Sequence, residues 1–281
     1  MALETRIYQK ENNLKVSQLL KASLMDIYTS RFLARQIAER DIKAQYRQSY
    51  LGIIWAFITP LATAAVWVFL NLSGTIQVTD TGIPYPVYAF SGTLIWSIIV
   101  EAINAPTAST NSARSILTKI NFPKEALIIS GIYKLLFNSS VKIVLLLAFV
   151  FLFGIGFHWS IFLLPLAILI ALVFGTTIGL FLTPLSMLYK DIGKIVSVGL
   201  SFLMYATPVV YAIPESGIMK ALMEINPISP IILTSRNVLT GTMPEYLPYY
   251  TVTALVSFSL LLVGLVFYRV SIPIIVERMS A

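Results

Sequence analysis

The feature that most constrains this chain is a run of 64 residues, from 126 to 189, with only two charged side chains, Lys134 and Lys142. A helix needs roughly 20 apolar residues to cross the hydrocarbon core of a bilayer. The run is therefore too long for one membrane-spanning helix and too apolar for a water-exposed surface. The stretch 154–159 contains two glycines and is a natural turn, which divides the run into two predicted spans.

Further apolar runs of similar length lie before and after this one. The predicted membrane spans are 51–72, 83–100, 127–153, 161–182, 195–214 and 246–268. Charged residues make up 12% of the chain, whereas an average soluble domain is about 25% charged. Such a composition excludes a disordered chain and argues against a water-soluble enzyme. We therefore predict an all-α membrane protein with six transmembrane helices.

Basic residues are divided unevenly between the two sides that these spans define. The side with both termini would carry sixteen Lys and Arg residues, nine of them in the first fifty positions. The other side would carry two, Lys220 and Arg236. Loops rich in Lys and Arg stay in the cytoplasm. Both termini are therefore predicted to be cytoplasmic, and the basic N-terminal segment needs no nucleic-acid partner.

The segment 20–48 has the pattern of an amphipathic helix. The charged residues that recur every fourth position are Arg31, Arg35, Glu39, Lys43 and Arg47. On a helix this spacing forms one slowly drifting stripe, with aliphatic residues on the other side. The pattern predicts a helix that lies in the cytoplasmic membrane interface. A solvated helical face with ion pairs between turns is an equally good interpretation of any single residue.

The segment 211–245 does not fit a simple span, because prolines interrupt its short apolar pieces. Such a segment is either an outer loop or a pair of short re-entrant helices. Re-entrant backbone is tolerated at membrane depth where protein or water covers it. Re-entrant outer helices between spans five and six are the prediction.

The residues that several catalytic centres need are missing. The chain has no cysteine and a single histidine, His158, which excludes thiolate or histidine metal clusters and cysteine nucleophiles. No G-x-x-x-x-G-K-[ST] or G-x-S-x-G pattern occurs, so no nucleotide-binding P-loop and no hydrolase nucleophile is indicated. We therefore expect that this chain is not an enzyme and has no cofactor of its own.

Three ionisable residues fall in or beside the predicted spans: Glu101, Lys134 and Lys142. Such residues are functional candidates by default. We expect Glu101 and Lys134 to pair or to extend to the inner interface. Lys142 lies about 12 Å further along its helix, and the sequence leaves open whether it faces an aqueous path. Glu101 is too close to the cytoplasmic end to be the midplane carboxylate of an ion-coupled carrier.

A more specific signal begins at Arg40, where the sequence reads Arg-Asp-Ile-Lys-Ala-Gln-Tyr-Arg-Gln-Ser-Tyr-Leu-Gly-Ile-Ile-Trp, with Pro60 soon after. It resembles the R-D-x-K-x-x-Y/F-x-x-S-x-L-G-x-x-W pattern that opens the ABC-2 type permeases of bacterial polysaccharide exporters. Three further stretches resemble that family in order. They are 117–123, similar to its L-x-K-x-x-F-P loop; 189–192, similar to its aromatic-basic-Asp loop, where Arg is more usual than Lys; and 226–241, similar to its outer N-P…R…G segment.

This resemblance covers about residues 30–270 and implies a transporter with several subunits. Such permeases are homodimers, and each copy binds a separate P-loop ATPase subunit, which binds ATP and Mg²⁺. Their cargo is O-antigen, capsule-like glycan or teichoic acid; the glycan implied here is linked to undecaprenyl diphosphate. It moves outward across the bacterial inner membrane, through a channel between the two copies. The implied organisation is a cytoplasmic tail at 1–50, a transmembrane domain at 51–270 and a cytoplasmic tail at 271–281.

The chemistry of such a cargo indicates candidate residues. Basic residues at the inner interface should attract an anionic diphosphate; the candidates there are Arg40, Lys43, Tyr46 and Arg47. Aromatic faces hold sugars loosely, and the channel candidates are Trp55, Trp67, Trp96, Tyr205 and Tyr211. For each of these residues ordinary contact with lipid, as in interfacial aromatic belts, is the alternative.

Two further groups follow from the resemblance. The cytoplasmic segments 106–125 and 183–194 should contact the ATPase; the candidates there are Arg114, Lys119, Phe122, Pro123, Lys190 and Asp191. The segment after span five would form an outer gate, with candidates Asn226, Pro227 and Arg236. Arg236 is either a structural anchor or a charge in the gate.

Two other functions remain open at this point. The same architecture exports drugs or other small amphiphiles in some relatives, although the motif that starts at Arg40 favours a glycan. A self-sufficient channel or ion-coupled carrier would transport without an ATPase. It would need a midplane carboxylate, which the sequence does not offer.

Overall fold

The computed structural model describes residues 15–47, 49–75, 82–117, 119–120 and 122–280, and within these ranges all regular structure is helical. The α-helices are α1 (Val16–Thr29), α2 (Arg31–Arg47), α3 (Trp55–Leu72), α4 (Tyr85–Ser112), α5 (Arg114–Leu117), α6 (Glu125–Leu152), α7 (Leu164–Leu188), α8 (Lys190–Tyr205), α9 (Ile218–Ile225), α10 (Ile228–Thr240) and α11 (Leu247–Ser280). Short 3-10 helices, Gly52–Ile54 and Trp159–Leu163, precede α3 and α7.

Five helical segments in the described ranges are long and apolar enough to cross a membrane. They are Gly52–Leu72, Tyr85–Ser112, Glu125–Leu152, Trp159–Leu188 and Leu247–Arg278. These segments coincide with predicted spans one, two, three, four and six. The predicted turn at 154–159 lies between α6 and α7, where Gly154 and Gly156 have φ angles of 75° and 79° that favour glycine. The prediction of an all-α, multi-pass membrane protein is confirmed.

Predicted span five, 195–214, has different bounds in the structure. Helix α8 ends at Tyr205, and its 16 residues are about 24 Å long. Pro208 follows the helix; a proline lacks a backbone donor and disfavours helical geometry at the residue before it. The part of the predicted span beyond Tyr205 is therefore a turn, and a sixth crossing stays a prediction.

Helices extend further into two predicted cytoplasmic loops than the charge pattern indicates. Helix α4 continues beyond Val100 to Ser112, and only Tyr189 separates α7 from α8. The predicted loops 106–125 and 183–194 are therefore largely helical. The charge pattern marks where the chain meets polar surroundings, and a helix can continue past that point.

The segment 20–48, predicted as one helix, forms two helices that meet at Ser30. The Ser30 amide and hydroxyl both donate to the carbonyl of Asp26, at 2.9 Å and 2.5 Å. Helix α2 packs along α6. The residues that α2 buries are Ala34, Ile37 and Ala38. Protein therefore covers part of the apolar side of α2, whereas Phe32 and Leu33 are exposed. An interfacial position for this segment stays a prediction.

The proline-broken segment 211–245 contains the two short helices α9 and α10, joined at Asn226 and Pro227. Helix α10 is almost entirely buried, whereas α9 buries only Met223. A helix pair is thus observed, as one of the two interpretations predicted. Its depth relative to a membrane stays a prediction.

Helix α4 is the element around which the others pack. It contacts α3, α6, α7 and α10, and all of its residues 87–96 are buried. Its closest partner is α7, whose Gly175 and Gly179 lie against the α4 backbone. A Cβ atom at Gly179 would lie 2.4 Å from the carbonyl oxygen of Ile103. Small residues let transmembrane helices approach this closely.

We expect Gly179→Ala to lower the thermal unfolding midpoint of the purified protein, because the added methyl group forces α4 and α7 apart. Overpacking of this kind costs about 1–3 kcal/mol. Gly193→Ala on α8 is the matched control, since a Cβ atom there meets nothing within 4 Å. The control should keep or slightly raise the midpoint, because alanine favours a helix over glycine by about 1 kcal/mol. Tryptophan fluorescence during heating in detergent measures both, and equal midpoints would contradict the packing.

Candidate functional site

Helices α2, α3, α4 and α6 line an open crevice with a cavity of about 380 Å³. Its lining combines polar groups with aromatic rings and includes Tyr46, Trp55, Thr59, Thr63, Trp96, Glu101, Asn138 and Lys142. A second cavity of about 370 Å³ adjoins it, because Gln45, Glu101 and Asn138 line both. The second cavity continues towards Ser112 at the end of α4. The two cavities are therefore neighbours along α4 and α6.

An ion pair crosses this crevice and joins α4 to α6. Lys142 Nζ lies 2.7 Å from Glu101 Oε1, and the side chain of Lys142 is only 8% exposed. The expected partner of Glu101 was Lys134, which lines only the second cavity. Lys142 therefore faces the cavity and is the ion-pair partner of Glu101. Of the two alternatives for Lys134, pairing with Glu101 is not observed, and extension to the inner interface stays a prediction.

The direction of the helices explains which lysine pairs with Glu101. Side chains on a helix lean towards its N-terminus. Helices α4 and α6 are antiparallel neighbours, so Lys142 leans towards the start of α6 while Glu101 leans towards the start of α4, and the two meet. Lys134 lies nearer the start of α6 and leans away from Glu101. The rule selects Lys142 only once the register of α4 against α6 is known, and that register comes from the packing of the two helices.

The three basic residues predicted for the diphosphate lie on the exposed side of α2. Arg40, Lys43 and Arg47 line neither cavity. Arg40 Nη2 is 2.7 Å from Asp41 Oδ1, and the Ser112 hydroxyl on α4 donates to Asp41 Oδ2 at 2.9 Å. Asp41 thus ties α2 to α4, while the basic side chains point away from the crevice.

Tyr46 is the member of the predicted diphosphate group that reaches the crevice. Burial raises the pKa of its hydroxyl, and the negative charge of Glu101 adds to the increase. The phenol is therefore neutral at physiological pH and can donate a hydrogen bond.

Two of the five aromatic residues predicted for the glycan channel, Trp55 and Trp96, line the crevice. Trp96 is buried, whereas Trp55 is 50% exposed. The other three lie elsewhere. Trp67 packs partly against the core, and the Tyr211 hydroxyl donates to the carbonyl of Tyr205.

Asn226 and Pro227, predicted for an outer gate, connect the start of α10 to the turn after α8. The Asn226 side-chain amide donates to the Ala206 carbonyl at 3.0 Å and to the Thr207 hydroxyl at 2.7 Å. Its oxygen accepts a hydrogen bond from the Ile228 amide at 3.0 Å. Asn226 therefore provides an acceptor for a backbone amide in the first turn of α10 and holds the turn that follows α8.

Arg236 holds the same turn from within α10, where it is 3% exposed. Its guanidinium donates to the carbonyls of Pro208 and Val209 at 3.3 Å and 2.7 Å. It also lies 3.6 Å from the ring centroid of Tyr88. Among the ion pairs of the described residues, none involves Arg236. A buried cation held by carbonyl dipoles and a ring fits a structural anchor better than a charge in a gate.

The residues predicted to contact an ATPase lie at the end of the molecule where α4 ends and α6 and α8 begin. The exposed members are Arg114, Lys119, Pro123, Lys190 and Asp191. Phe122 is half-buried, and the Lys124 ammonium lies 4.7 Å from the centroid of its ring. Burial lowers the pKa of Lys124, against the smaller opposing effect of Glu125.

An ion-pair network near this end was missed by the sequence analysis. Arg269 Nη1 lies 2.6 Å from Asp26 Oδ2 and 2.5 Å from Glu125 Oε1. The Ser23 hydroxyl donates to Glu125 at 3.0 Å. The network joins α1, α6 and α11. The available signal was the charge of Arg269 at the end of the last predicted span. Its partners Glu125 and Asp26 are 144 and 243 positions away in sequence, so no local pattern links them to it.

Comparison with known proteins identifies a family profile and several curated relatives. The profile described as "ABC-2 type transporter" matches residues 33–240. An "O-antigen export system permease protein RfbA" of Myxococcus xanthus is 28% identical over 205 residues, 72% of this chain and 78% of that protein.

Two relatives from Klebsiella pneumoniae carry the same name. One is 24% identical over 241 residues, 83% of this chain and 89% of that protein. The other is 25% identical over 227 residues, 76% of this chain and 84% of that protein. The similarity therefore covers most of the membrane region in each case.

We expect Arg236→Met to release the turn after α8, because each lost hydrogen bond to a charged group contributes about 1.5–3 kcal/mol. The chain has no cysteine, so a cysteine introduced at the buried Val210 (2% exposed) reports on this turn. Labelling of Val210→Cys by a maleimide should become at least about tenfold faster in the Arg236→Met background. Ser201→Cys on exposed α8 is the control, with equal rates in both backgrounds. Unchanged protection of position 210 would refute the anchor role.

Proposed function

This chain is a membrane permease of the ABC-2 type transporter family, and from that premise we propose that it exports a lipid-linked polysaccharide. The proposed cargo is an O-antigen or capsule-like glycan on undecaprenyl diphosphate, moved from the cytoplasmic to the outer leaflet of the bacterial inner membrane. The observation that carries the cargo is the name shared by three relatives, each an O-antigen export permease similar over at least 72% of this chain.

The energy source of the proposed exporter is a separate ATPase. The sequence has no P-loop, so ATP and Mg²⁺ would bind to two partner subunits, one for each permease copy. The exposed residues Arg114, Lys119, Lys190 and Asp191 support a docking surface at the basic, cytoplasmic end. Helix α4 ends here and α8 starts here, so movement of the ATPase would reach two helices of the bundle directly.

A second copy of the chain would complete the channel. Helix α3 buries only Ala64, and α8 buries no residue. Exposed apolar side chains on these helices suit lipid, but exposed hydroxyls within a membrane suit protein or water. The exposed hydroxyl residues are Thr59 and Thr63 on α3 and Ser197 and Ser201 on α8. We place the glycan path beside these two helices, where Trp55 is half exposed and Met204 of α8 lines the crevice.

The basic side of α2 would attract the diphosphate of the cargo. Lys43 and Arg47 are exposed and have no acidic partner among the ion pairs of the described residues. Unpaired cations at an interface raise the local concentration of an anionic ligand. Tyr46 lies between them in sequence and reaches the crevice, which would connect the headgroup site to the channel.

The outer end of the bundle would carry the gate. Helix α9 is exposed while α10 is anchored through Arg236 and Asn226. We propose that α9 and α10 re-enter the membrane from outside and that α8 makes the sixth crossing. The anchored turn at 206–210 would then be the fixed side of the gate.

We expect an ATPase with a P-loop to copurify stoichiometrically with the tagged chain from native membranes, and the complex to hydrolyse ATP. Deletion of the gene should abolish surface glycan and cause lipid-linked glycan to accumulate inside the cell. If the purified complex hydrolyses ATP while deletion of the gene leaves the surface glycan normal, that pair of results would assign the exporter to another amphiphile. Transport by the purified chain without any ATPase would refute the proposal.

The double variant Lys43→Ala/Arg47→Ala should reduce glycan export at least about tenfold, because each lost charge contact contributes about 1 kcal/mol. The ATPase should still copurify. Arg31→Ala/Arg35→Ala is the matched control: it removes two exposed arginines from the other end of α2, and export should stay within about twofold. Equal export by both double variants would exclude this part of α2 as the diphosphate site.

A further inference from the structure

Two buried oxygen atoms in the crevice between α2, α3, α4 and α6 have no hydrogen-bond partner among the described residues. They are Glu101 Oε2 and Asn138 Oδ1. Glu101 and Asn138 line both neighbouring cavities. Buried polar atoms in folded proteins almost always have a partner, and an unmet acceptor is costly. The two atoms therefore mark a place that is built to receive hydrogen-bond donors.

The ion pair fixes the chemical character of this place. Lys142 Nζ donates to Glu101 Oε1 at 2.7 Å, and the second oxygen of this ion-paired carboxylate is left as an acceptor for another donor. Both unpartnered atoms thus accept hydrogen bonds. A ligand that fits them presents hydrogen-bond donors such as hydroxyl groups; ionised phosphate oxygens only accept hydrogen bonds and do not fit them.

The remaining walls of the crevice have the size and shape for such a ligand. Its volume of about 380 Å³ lies in the range of small-molecule sites, about 300–1,000 Å³. Trp55 and Trp96 offer large apolar faces, and the Tyr46 hydroxyl is a donor at the rim. Apolar faces beside polar edges match the C–H face and hydroxyl edge of a polyol.

We propose that the crevice binds one polyol unit, whose hydroxyls donate to Glu101 Oε2 and Asn138 Oδ1. The same chemistry has two sources: a sugar residue of the cargo, which rests on the proposed function, and the glycerol headgroup of a membrane lipid. The second cavity shares Gln45, Glu101 and Asn138 with the first and leads towards Ser112. The second cavity would be the route of the ligand to the site, along α4 and α6.

The test uses the full chain with its copurified partners in nanodiscs that contain only phosphatidylcholine. Trp67→Phe and Trp159→Phe leave Trp55 and Trp96, the two tryptophans of the crevice, as fluorescent reporters. The probes are octyl β-D-glucoside, 1-O-octylglycerol and octyltrimethylammonium, each below its micelle concentration. We expect a saturable fluorescence change with a polyol probe and none with the ammonium probe.

Asn138→Leu removes one acceptor at nearly constant volume and should weaken binding about tenfold. Asn138→Asp keeps an acceptor and should preserve binding. Ser140→Leu, on an exposed position of the same helix, is the matched control and should leave binding unchanged. Glu101→Gln keeps an acceptor for Lys142 but replaces the second carboxylate oxygen with an amide donor, so it should also weaken binding. This variant provides the test if Asn138→Leu does not fold.

Each outcome decides between the sources or against the site. Binding of the glucoside but not the glycerol ether assigns the site to a sugar of the cargo, and tighter binding of the glycerol ether assigns it to a lipid headgroup. No saturable polyol binding, or equal affinity for parent and all folded variants, overturns the proposal. ATPase copurification does not involve Asn138, so the exporter function and this site can fail separately.

Discussion

A chain this apolar has to satisfy its backbone polar groups within the protein, since a bilayer core supplies no water. Helices do this for most of the described residues. Helix α8 ends at Tyr205, and side chains donate the hydrogen bonds to the backbone that follows. Asn226 donates to the Ala206 carbonyl, and Arg236 donates to the carbonyls of Pro208 and Val209. The buried cation Arg236 is thus explained by the backbone carbonyls that it satisfies after α8.

The charged residues inside the bundle follow the same constraint, and each links helices that are distant in sequence. Lys142 and Glu101 join α6 to α4, and Arg269 joins α11 to α1 and α6. The first pair lies in the crevice and the second at the end proposed to receive the ATPase. Helix α6 therefore carries a residue of both ion-pair sites.

The sequence predicted more of the membrane topology than of the site. Five of the predicted spans match apolar helices, because hydropathy reports the cost of placing residues in lipid. The prediction of a span at 195–214 is wrong beyond Tyr205, where the helix ends. Hydropathy does not distinguish a turn buried in protein from a helix in lipid. Trp55, Trp96 and Tyr46 do meet in one crevice, whereas Arg40 and Arg47 remain outside it.

Composition and motif order by themselves determined the fold class, the uneven distribution of basic residues and the family, because these depend on local sequence and on transfer from water to lipid. Only the tertiary structure decided that Glu101 pairs with Lys142 rather than Lys134, and that Arg269 bonds Asp26 and Glu125. Those partners are set by the direction and register of packed helices. Such packing depends on close contacts like that of Gly179 with Ile103, which no local pattern encodes.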